Sequence, residues 1–140
     1  MKIAIGCDHG GIGLKNELVS LIKEMGHELD DQGCHSIESV DYPAFAKSVC
    51  SLVQAGRCDR GILICGTGIG MSMVANRFDG IRAALCHELF TARMSREHND
   101  ANVLCLGARV VGPGLAAEIV RTWVATDFAG GRHQRRIDMF

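Results

Sequence analysis

The sequence predicts an α/β fold, a three-layer Rossmann-like sandwich in which helices cover both faces of a five-stranded parallel sheet. Short apolar runs typical of strands alternate with segments whose apolar residues recur at helical spacing. The run at residues 61–65 is apolar without interruption, as in a strand buried on both faces. The 140 residues suffice for one hydrophobic core but not for two. We therefore expect one domain, residues 1–140.

The first half of the chain alternates strand, helix, strand and helix. Residues 3–7 are an apolar run, and residues 14–25 place apolar side chains on one helical face before a glycine. Residues 27–33 predict a weak strand, which we assign to a sheet edge because three acidic residues interrupt it. A second helix begins after Asp41, since Pro43 suits a first helical turn, and it ends before another glycine.

The second half contains three more strand–helix pairs. Strands are predicted at residues 61–65, 81–86 and 103–107, and helices at residues 71–75, 89–98 and 115–124. The chain then ends in a basic tail that contains Arg132 and Arg136. If this tail is helical, the two arginines share one face; otherwise the tail is a solvated basic end.

Composition excludes several classes of protein. Fifteen basic and sixteen acidic residues give a net charge of −1, which argues against a dedicated nucleic-acid binder. No apolar run approaches the roughly 20 residues needed to span a membrane, and none resembles a signal peptide. The seven cysteines are an odd number without a C-x-x-C pair, which indicates free thiols in a reducing, cytoplasmic setting.

Polar residues collect where the predicted strands end. Asp8 and His9 follow the first strand, and Cys65 ends the third. His87 follows the fourth strand and Arg109 the fifth. Ligands of open parallel sheets bind outside the carboxyl ends of the strands, so we expect these residues to converge there.

The stretch Gly66, Thr67, Gly68, Ile69 and Gly70 lies between the third strand and a helix. It is not a dinucleotide fingerprint, because positions 71 and 73 are methionines, and it lacks the lysine of a Walker loop. A cysteine phosphatase of the C-x5-R type would need arginine at position 71. A row of unshielded backbone N–H groups remains, which suits an anion or a developing oxyanion. The alternative is that the glycines only permit a tight turn.

Each candidate cysteine and histidine could have a purely structural role instead of a chemical one. Helix dipole and N–H groups would lower the pKa of Cys65 toward that of a base near neutrality, yet Cys65 could also be a buried core thiol. His98 ends a predicted helix, where a histidine often serves as a cap. The pair His87 and Glu88 fails as a metalloprotease motif because position 91 is Thr91. We predict no metal site.

Six separated motifs occur in order along the chain: I-G-C-D-H-G-G-I-G-L-K, D-Y-P, I-C-G-T-G-I-G-M-S-M, S-R-E-H-N-D-A-N-V-L, L-G-A-R-V-V-G and G-G-R-H-Q-R-R. Together they resemble the type B ribose-5-phosphate isomerases, a family that includes the subunits of galactose-6-phosphate isomerase. The resemblance covers nearly the whole chain. It implies an intramolecular oxidoreductase that interconverts ribose 5-phosphate and ribulose 5-phosphate through an enediolate, without metal or cofactor.

The resemblance also implies roles for individual residues. Cys65 matches the base that moves a proton between C1 and C2, and residues 66–70, with Thr67, match the loop that stabilises the enediolate oxygens. His98 matches the acid that helps to open the furanose ring. The other positions matched to catalysis or substrate binding are Asp8, His9, Asn99, Arg109, Arg132 and Arg136. The first two of these would lie near the ring oxygen and hydroxyls, and the arginines would bind chiefly phosphate.

The family's site is shared between two subunits, so the resemblance implies a homodimer. A tetramer is an alternative oligomeric state. Many relatives continue past the position of Phe140, which leaves the docking of the tail open. The sequence does not determine which sugar phosphate is the substrate. The same chemistry could act on allose 6-phosphate, galactose 6-phosphate or a tetrulose 4-phosphate. A non-catalytic phosphate-binding module is the alternative from another class.

Overall fold

The computed structural model describes residues 1–140 and contains one five-stranded sheet, parallel throughout. Its strands are Lys2–Cys7 (β1), Glu28–Asp31 (β2), Arg60–Cys65 (β3), Ala83–Leu85 (β4) and Val103–Gly107 (β5). Their order across the sheet is β2-β1-β3-β5-β4. The expected parallel α/β fold is confirmed, and the weak, acidic β2 lies at an edge as predicted.

Six α-helices accompany the strands. They are Ile12–Glu24 (α1), Tyr42–Gln54 (α2), Ile69–Ala75 (α3), Leu89–Glu97 (α4), Pro113–Ala125 (α5) and Arg132–Ile137 (α6). A single 3-10 turn, His9–Gly11, joins β1 to α1. The basic tail predicted from the sequence is therefore a helix, α6, in which Arg132 and Arg136 are four residues apart. None of the helices is long and apolar enough to cross a membrane.

Two apolar layers cover the sheet. The side chains of β3 alternate between them: Ile62 and Ile64 belong to the layer formed with α1, α4 and α5, and Leu63 belongs to the layer formed with α2 and α3. Helix α2 packs directly on the strands, because a Cβ at Gly61 would lie 2.7 Å from a methyl group of Val49. Burial on both faces explains why β3 is apolar without interruption.

Strand β4 is shorter than the run at residues 81–86 predicts. It lies at the sheet edge and pairs only with β5, from Ala83 to Leu85. Ile81 and Cys86 lie outside β4 but are buried, so their apolar character reflects packing against the core. An apolar run alone does not distinguish burial within a strand from burial beside it.

The parallel arrangement gives the sheet two distinct ends. Cys65 pairs with Gly107 at the end that we call the carboxyl edge, and Gly61 pairs with Val103 at the opposite, amino edge. The chain leaves β1 for β2 on one side, whereas β3 lies on the other. This reversal opens a crevice outside the carboxyl ends of β1 and β3.

Candidate active site

Residues from three strands meet at the carboxyl edge, as expected from the sequence. The Asp8 carboxylate accepts a hydrogen bond from the backbone N–H of Gly10 at 2.9 Å. A Cβ at Gly10 would lie 3.8 Å from the backbone nitrogen of Gly66 and 3.8 Å from Nη2 of Arg109. The carboxylate, the glycine loop and the guanidinium therefore border one small space.

Backbone hydrogen bonds fix Arg109 over the loop. The N–H of Ala108 donates to the carbonyl of Cys65 at 2.8 Å, and the N–H of Arg109 donates to the carbonyl of Gly66 at 3.0 Å. The side chain of Arg109 then lies over Gly66, where an added Cβ would be 3.5 Å from its Cδ. The pairing of β3 with β5 thus sets the position of this positive charge.

Cys65 lies directly beneath the glycine loop. It is 6% exposed, and its sulfur accepts a hydrogen bond from the backbone N–H of Gly68 at 3.1 Å. Gly68 has a φ of +77°, and a Cβ there would lie 2.6 Å from Cδ1 of Leu85. Only glycine fits this turn. A negatively charged sulfur at this position has a hydrogen-bond donor already in place.

The other cysteines are core thiols. All are buried and free. Burial raises the pKa of Cys7 to about 11 and that of Cys50 to about 12. Burial likewise raises the pKa of Cys58, Cys86 and Cys105. These groups are neutral thiols near neutral pH, which distinguishes them chemically from a base.

The remaining loop residues are packed between β5 on one side and Tyr42 of α2 on the other. Thr67 is exposed, and its Oγ1 accepts the N–H of Ile69 at 3.3 Å. A Cβ at Gly107 would lie 2.7 Å from the Thr67 carbonyl oxygen, so β5 closely supports the loop. A Cβ at Gly70 would lie 2.6 Å from Cζ of Tyr42. Tyr42 therefore borders the site, a role that its place in the D-Y-P motif signals only indirectly.

His9 is oriented by the backbone and not by the adjacent Asp8 carboxylate. Its Nδ1 accepts the N–H of Val40 at 3.3 Å. This bond leaves Nε2 as the protonated nitrogen of the neutral ring. His87 follows β4 at the same edge of the sheet, and its Nε2 is buried without a hydrogen-bond partner. No group of three or more His, Cys, Asp or Glu side chains is arranged to hold a metal ion.

A second set of candidate residues lies at the amino edge. His98 ends α4, and its ring stacks on His133 of α6, with centroids 4.1 Å apart and planes 7° from parallel. Burial, followed by the charges of His98 and the neighbouring Arg132 and Arg136, lowers the pKa of His133. The N–H of Ala129 donates to the Glu97 carbonyl at 2.9 Å. Helix α6 is thereby attached beside the end of α4.

The two sets do not meet within one chain. Strand β3 separates the edges by about 16 Å at the usual rise per residue. Asn99 lines a cavity of about 400 Å³ near the amino edge, together with Arg82 and Phe140. The tail does not return to the carboxyl edge of its own chain. The candidate residues therefore form two separate groups within the chain, which we call half-sites, one with Cys65 and one with His98.

The fold and these half-sites are those of an α/β enzyme for a small anionic molecule, because a thiol, a carboxylate and an arginine border the glycine loop. The family model described as Ribose/Galactose Isomerase matches residues 3–140. The chain belongs to this family and is a sugar-phosphate isomerase. The resemblance stated from the six motifs is confirmed.

Individual relatives are similar in sequence to this chain over almost its full length. It is 52% identical to ribose-5-phosphate isomerase B of Escherichia coli over 98% of this chain and 92% of the relative. It is 41% identical to D-erythrulose-4-phosphate isomerase of Pectobacterium atrosepticum over 99% of this chain and 91% of the relative. The structure of ribose-5-phosphate isomerase B from Clostridium thermocellum superimposes with a TM-score of 0.98 and 56% identity, covering 99% and 94% of the two chains.

Proposed function

We propose that this enzyme interconverts ribose 5-phosphate and ribulose 5-phosphate, with Cys65 as the base. The observation that carries the proposal is the sulfur of Cys65 beneath the N–H of Gly68, at the edge that also holds Asp8 and Arg109. Relatives named for ribose 5-phosphate, at 52% and 56% identity, support the choice of substrate.

The reaction moves one proton between two carbons. The Cys65 thiolate removes the proton from C2 of the open-chain aldose, and the electron pair forms the C1–C2 double bond of an enediolate. The same proton returns to C1, while a second proton passes from O2 to O1, so no atom is gained or lost. Backbone N–H groups of residues 66–70, with Thr67, stabilise the negative oxygen in between.

The remaining candidate residues open the sugar ring before this step and bind the substrate during it. In this proposal His98 supplies the acid that opens the furanose ring, and Asp8 and His9 contact the ring oxygen and hydroxyls. Asn99 binds the sugar, and the arginines bind chiefly the phosphate, for which a planar guanidinium is well suited. Neither a metal nor a cofactor takes part.

The separation of the half-sites leads us to propose a homodimer with shared active sites. His98 and Asn99 follow α4 at the amino edge, and α6 with Arg132 and Arg136 stacks on His98 there, whereas Cys65 lies at the other end of β3, a strand about 16 Å long. A second copy that places its amino edge against the carboxyl edge of the first would complete a site, and twofold symmetry would complete the other. One dimer then contains two sites, each built from both chains.

Replacement of Cys65 tests the role of the base. Cys65→Ala should lower kcat about 10²–10⁴-fold, the usual contribution of a positioned base. Cys50→Ala, a buried cysteine away from the loop, is the matched control and should keep its kcat. Nearly full activity of Cys65→Ala would refute the thiolate base. Binding of sugar phosphates without any turnover by the wild-type protein would favour a phosphate-binding module.

A panel of substrates tests the choice of sugar. We expect the highest kcat/KM for ribose 5-phosphate, compared with allose 6-phosphate, galactose 6-phosphate and D-erythrulose 4-phosphate. The relative named for D-erythrulose 4-phosphate makes the four-carbon sugar the principal competitor. Efficient turnover of a four- or six-carbon substrate with negligible use of ribose 5-phosphate would contradict the proposal.

Mixing two inactive variants tests the shared site. Cys65→Ala and His98→Asn, co-expressed with different tags, should regain about a quarter of wild-type activity, because about half the dimers are mixed and each mixed dimer has one intact site. Each variant alone should be nearly inactive. If both half-sites act within one chain, every site in the mixture carries a defect and activity stays absent.

A further inference from the structure

The corner between α4 and β5 is held by a carboxylate between two guanidinium groups. Asp100 Oδ1 accepts a hydrogen bond from Nη1 of Arg96 at 2.8 Å. Its Oδ2 accepts one from Nη2 of Arg82 at 2.9 Å. We call these three residues the Asp100 clamp. They come from α4, from the corner itself and from the segment that leads into β4, so the clamp joins three parts of the chain.

The guanidinium groups also hold the backbone of the corner. Nε of Arg82 donates to the carbonyl of Asn99 at 3.0 Å and to that of Asp100 at 3.1 Å. Nη1 of Arg96 donates to the carbonyl of Ala101 at 2.6 Å. Three consecutive carbonyl groups are therefore held by the same two side chains. The clamp therefore fixes the backbone conformation of the residues that follow His98.

Arg96 is itself fixed by its surroundings. It is 6% exposed, its guanidinium lies 5.8 Å from the ring centroid of Trp123, and its Nε donates to the Thr126 carbonyl at 3.3 Å. Trp123 is fully buried. Because both the stacking and the hydrogen bonds restrict the guanidinium, Arg96 provides a rigid support for the corner.

Asp100 also has an uncommon backbone conformation. Its φ is +45°, and no other residue except glycine has a positive φ in this chain. Aspartate tolerates this left-handed region better than most residues, but an unsupported residue would leave it readily. Strained backbone of this kind persists where surrounding contacts define it and is concentrated at functional sites. Here the residues immediately before it are His98 and Asn99.

We propose that Asp100, through Arg82 and Arg96, is a positioning residue that sets His98 and Asn99 for their contacts with the substrate. This inference rests on the proposed function of those two residues. Asp100 does not itself touch the substrate. Its carboxylate fixes the end of α4, so that the His98 ring and the Asn99 side chain enter the shared site in one arrangement.

Two substitutions separate the clamp from the backbone conformation. Asp100→Gly accepts the positive φ but lacks both hydrogen bonds, and we expect kcat/KM to fall about 10- to 100-fold, as for a misplacement of about 1 Å. Asp100→Asn also accepts the positive φ and keeps one acceptor, so its loss should be clearly smaller. Wild-type kcat/KM for Asp100→Gly would overturn the proposal.

The mixing experiment assigns the defect to one half-site. Asp100→Gly combined with Cys65→Ala should regain about a quarter of wild-type activity. Asp100→Gly combined with His98→Asn should regain none, because both changes affect the same half-site. Recovery in the second mixture, or failure in the first, overturns the inference. The mixture of Cys65→Ala with His98→Asn tests the proposed function separately, because it contains no change at Asp100.

A matched control excludes a general loss of stability. Ile22→Ala truncates a side chain in the fully buried core of α1 and should lower the melting temperature to a similar extent as Asp100→Gly, which leaves the buried Arg96 without its counter-charge. Its kcat/KM should stay at the wild-type value. If Ile22→Ala loses as much activity as Asp100→Gly at an equal melting temperature, Asp100 has only a structural role.

Discussion

At the scale of single residues, Gly68 places a hydrogen-bond donor against the sulfur of Cys65 at 3.1 Å. The left-handed backbone at this glycine, φ +77°, turns its N–H back toward the preceding strand. A residue with a Cβ would carry a penalty of about 1–2 kcal/mol in this conformation. It would also overlap with the side chain of Leu85 and the backbone of Leu106. The chemistry of one cysteine thus depends on the absence of one side chain.

Selective alkylation is the prediction at this scale. Iodoacetamide should inactivate the enzyme with one label on Cys65, because the proposed mechanism requires this cysteine to react as a thiolate, the form that is alkylated. Burial raises the pKa of five other cysteines, which keeps them protonated. Ribose 5-phosphate should protect against inactivation, and peptide mass spectrometry would locate the label.

Cys34→Ala is the control for this labelling. Cys34 is also buried, at 3% exposure, but its sulfur contacts the carbonyl of Ser36 instead of a backbone N–H. The variant should lose activity to iodoacetamide at the wild-type rate. Even labelling of several cysteines with activity retained would contradict the assignment of Cys65.

At the scale of elements, a buried charge joins α1 to β2. Lys15 is 1% exposed, and its Nζ donates to both carboxylate oxygens of Asp31 at 2.8 Å. Burial raises the pKa of the Asp31 carboxyl, but hydrogen bonds from Lys15 and the Gly33 N–H outweigh this effect, so that its pKa lies below the ordinary value. The edge strand β2 is held to the sheet partly by this pair.

Asp31→Asn should therefore lower the free energy of unfolding by about 2–3 kcal/mol at pH 7, because the buried Lys15 ammonium loses its counter-charge. A carboxylate with a lowered pKa stabilises the fold above its unfolded pKa of about 3.9. That stabilisation is lost as the pH falls through the folded pKa. The difference between wild type and variant in urea titrations should thus narrow below about pH 4.

The exposed pair of Arg121 and Glu118, 3.6 Å apart on α5, supplies the comparison. Glu118→Gln should change the free energy of unfolding by less than about 1 kcal/mol. If Asp31→Asn changed it no more than Glu118→Gln, the pair of Lys15 and Asp31 would not hold β2 in place.

At the scale of the whole molecule, the proposed shared site needs two chains, and apolar side chains near the carboxyl edge are available for contact. Ile69 is 46% exposed, Met73 66% and Phe90 67%. Ile69 and Phe90 lie in the first turns of α3 and α4, and Met73 lies in the second turn of α3; these helices follow β3 and β4. Exposed apolar groups around an incomplete site fit a surface that a second copy covers.

A charge on this surface should separate the chains. Phe90→Glu should sediment as a single chain, and its kcat/KM should fall at least about 100-fold, because the acid and two arginines no longer reach Cys65. Ser20→Glu, on the exposed side of α1, adds the same charge elsewhere and should leave mass and activity unchanged. A fully active single chain of Phe90→Glu would show that no partner is needed.

The sequence alone determines most local features of this protein. Strand β5 has the predicted bounds, residues 103–107, because a buried apolar run between polar segments has few other solutions. The convergence of Asp8, Cys65 and Arg109 also follows from the sequence, since carboxyl ends of parallel strands share one edge whatever their order. The family follows from motifs read along the chain.

Only the tertiary structure decides which of these features are neighbours. It places His98 and Arg136 at the edge opposite Cys65, turns the basic tail into a helix stacked on α4, and brings Arg82 onto Asp100. These contacts join segments far apart in the chain, so their geometry depends on strand order and helix packing. Periodicity records which side of an element is buried, but not which element covers it. The resemblance to a family of shared-site enzymes already predicts a second chain, but for that reason the physical separation of the two half-sites within one chain emerges only from the folded molecule.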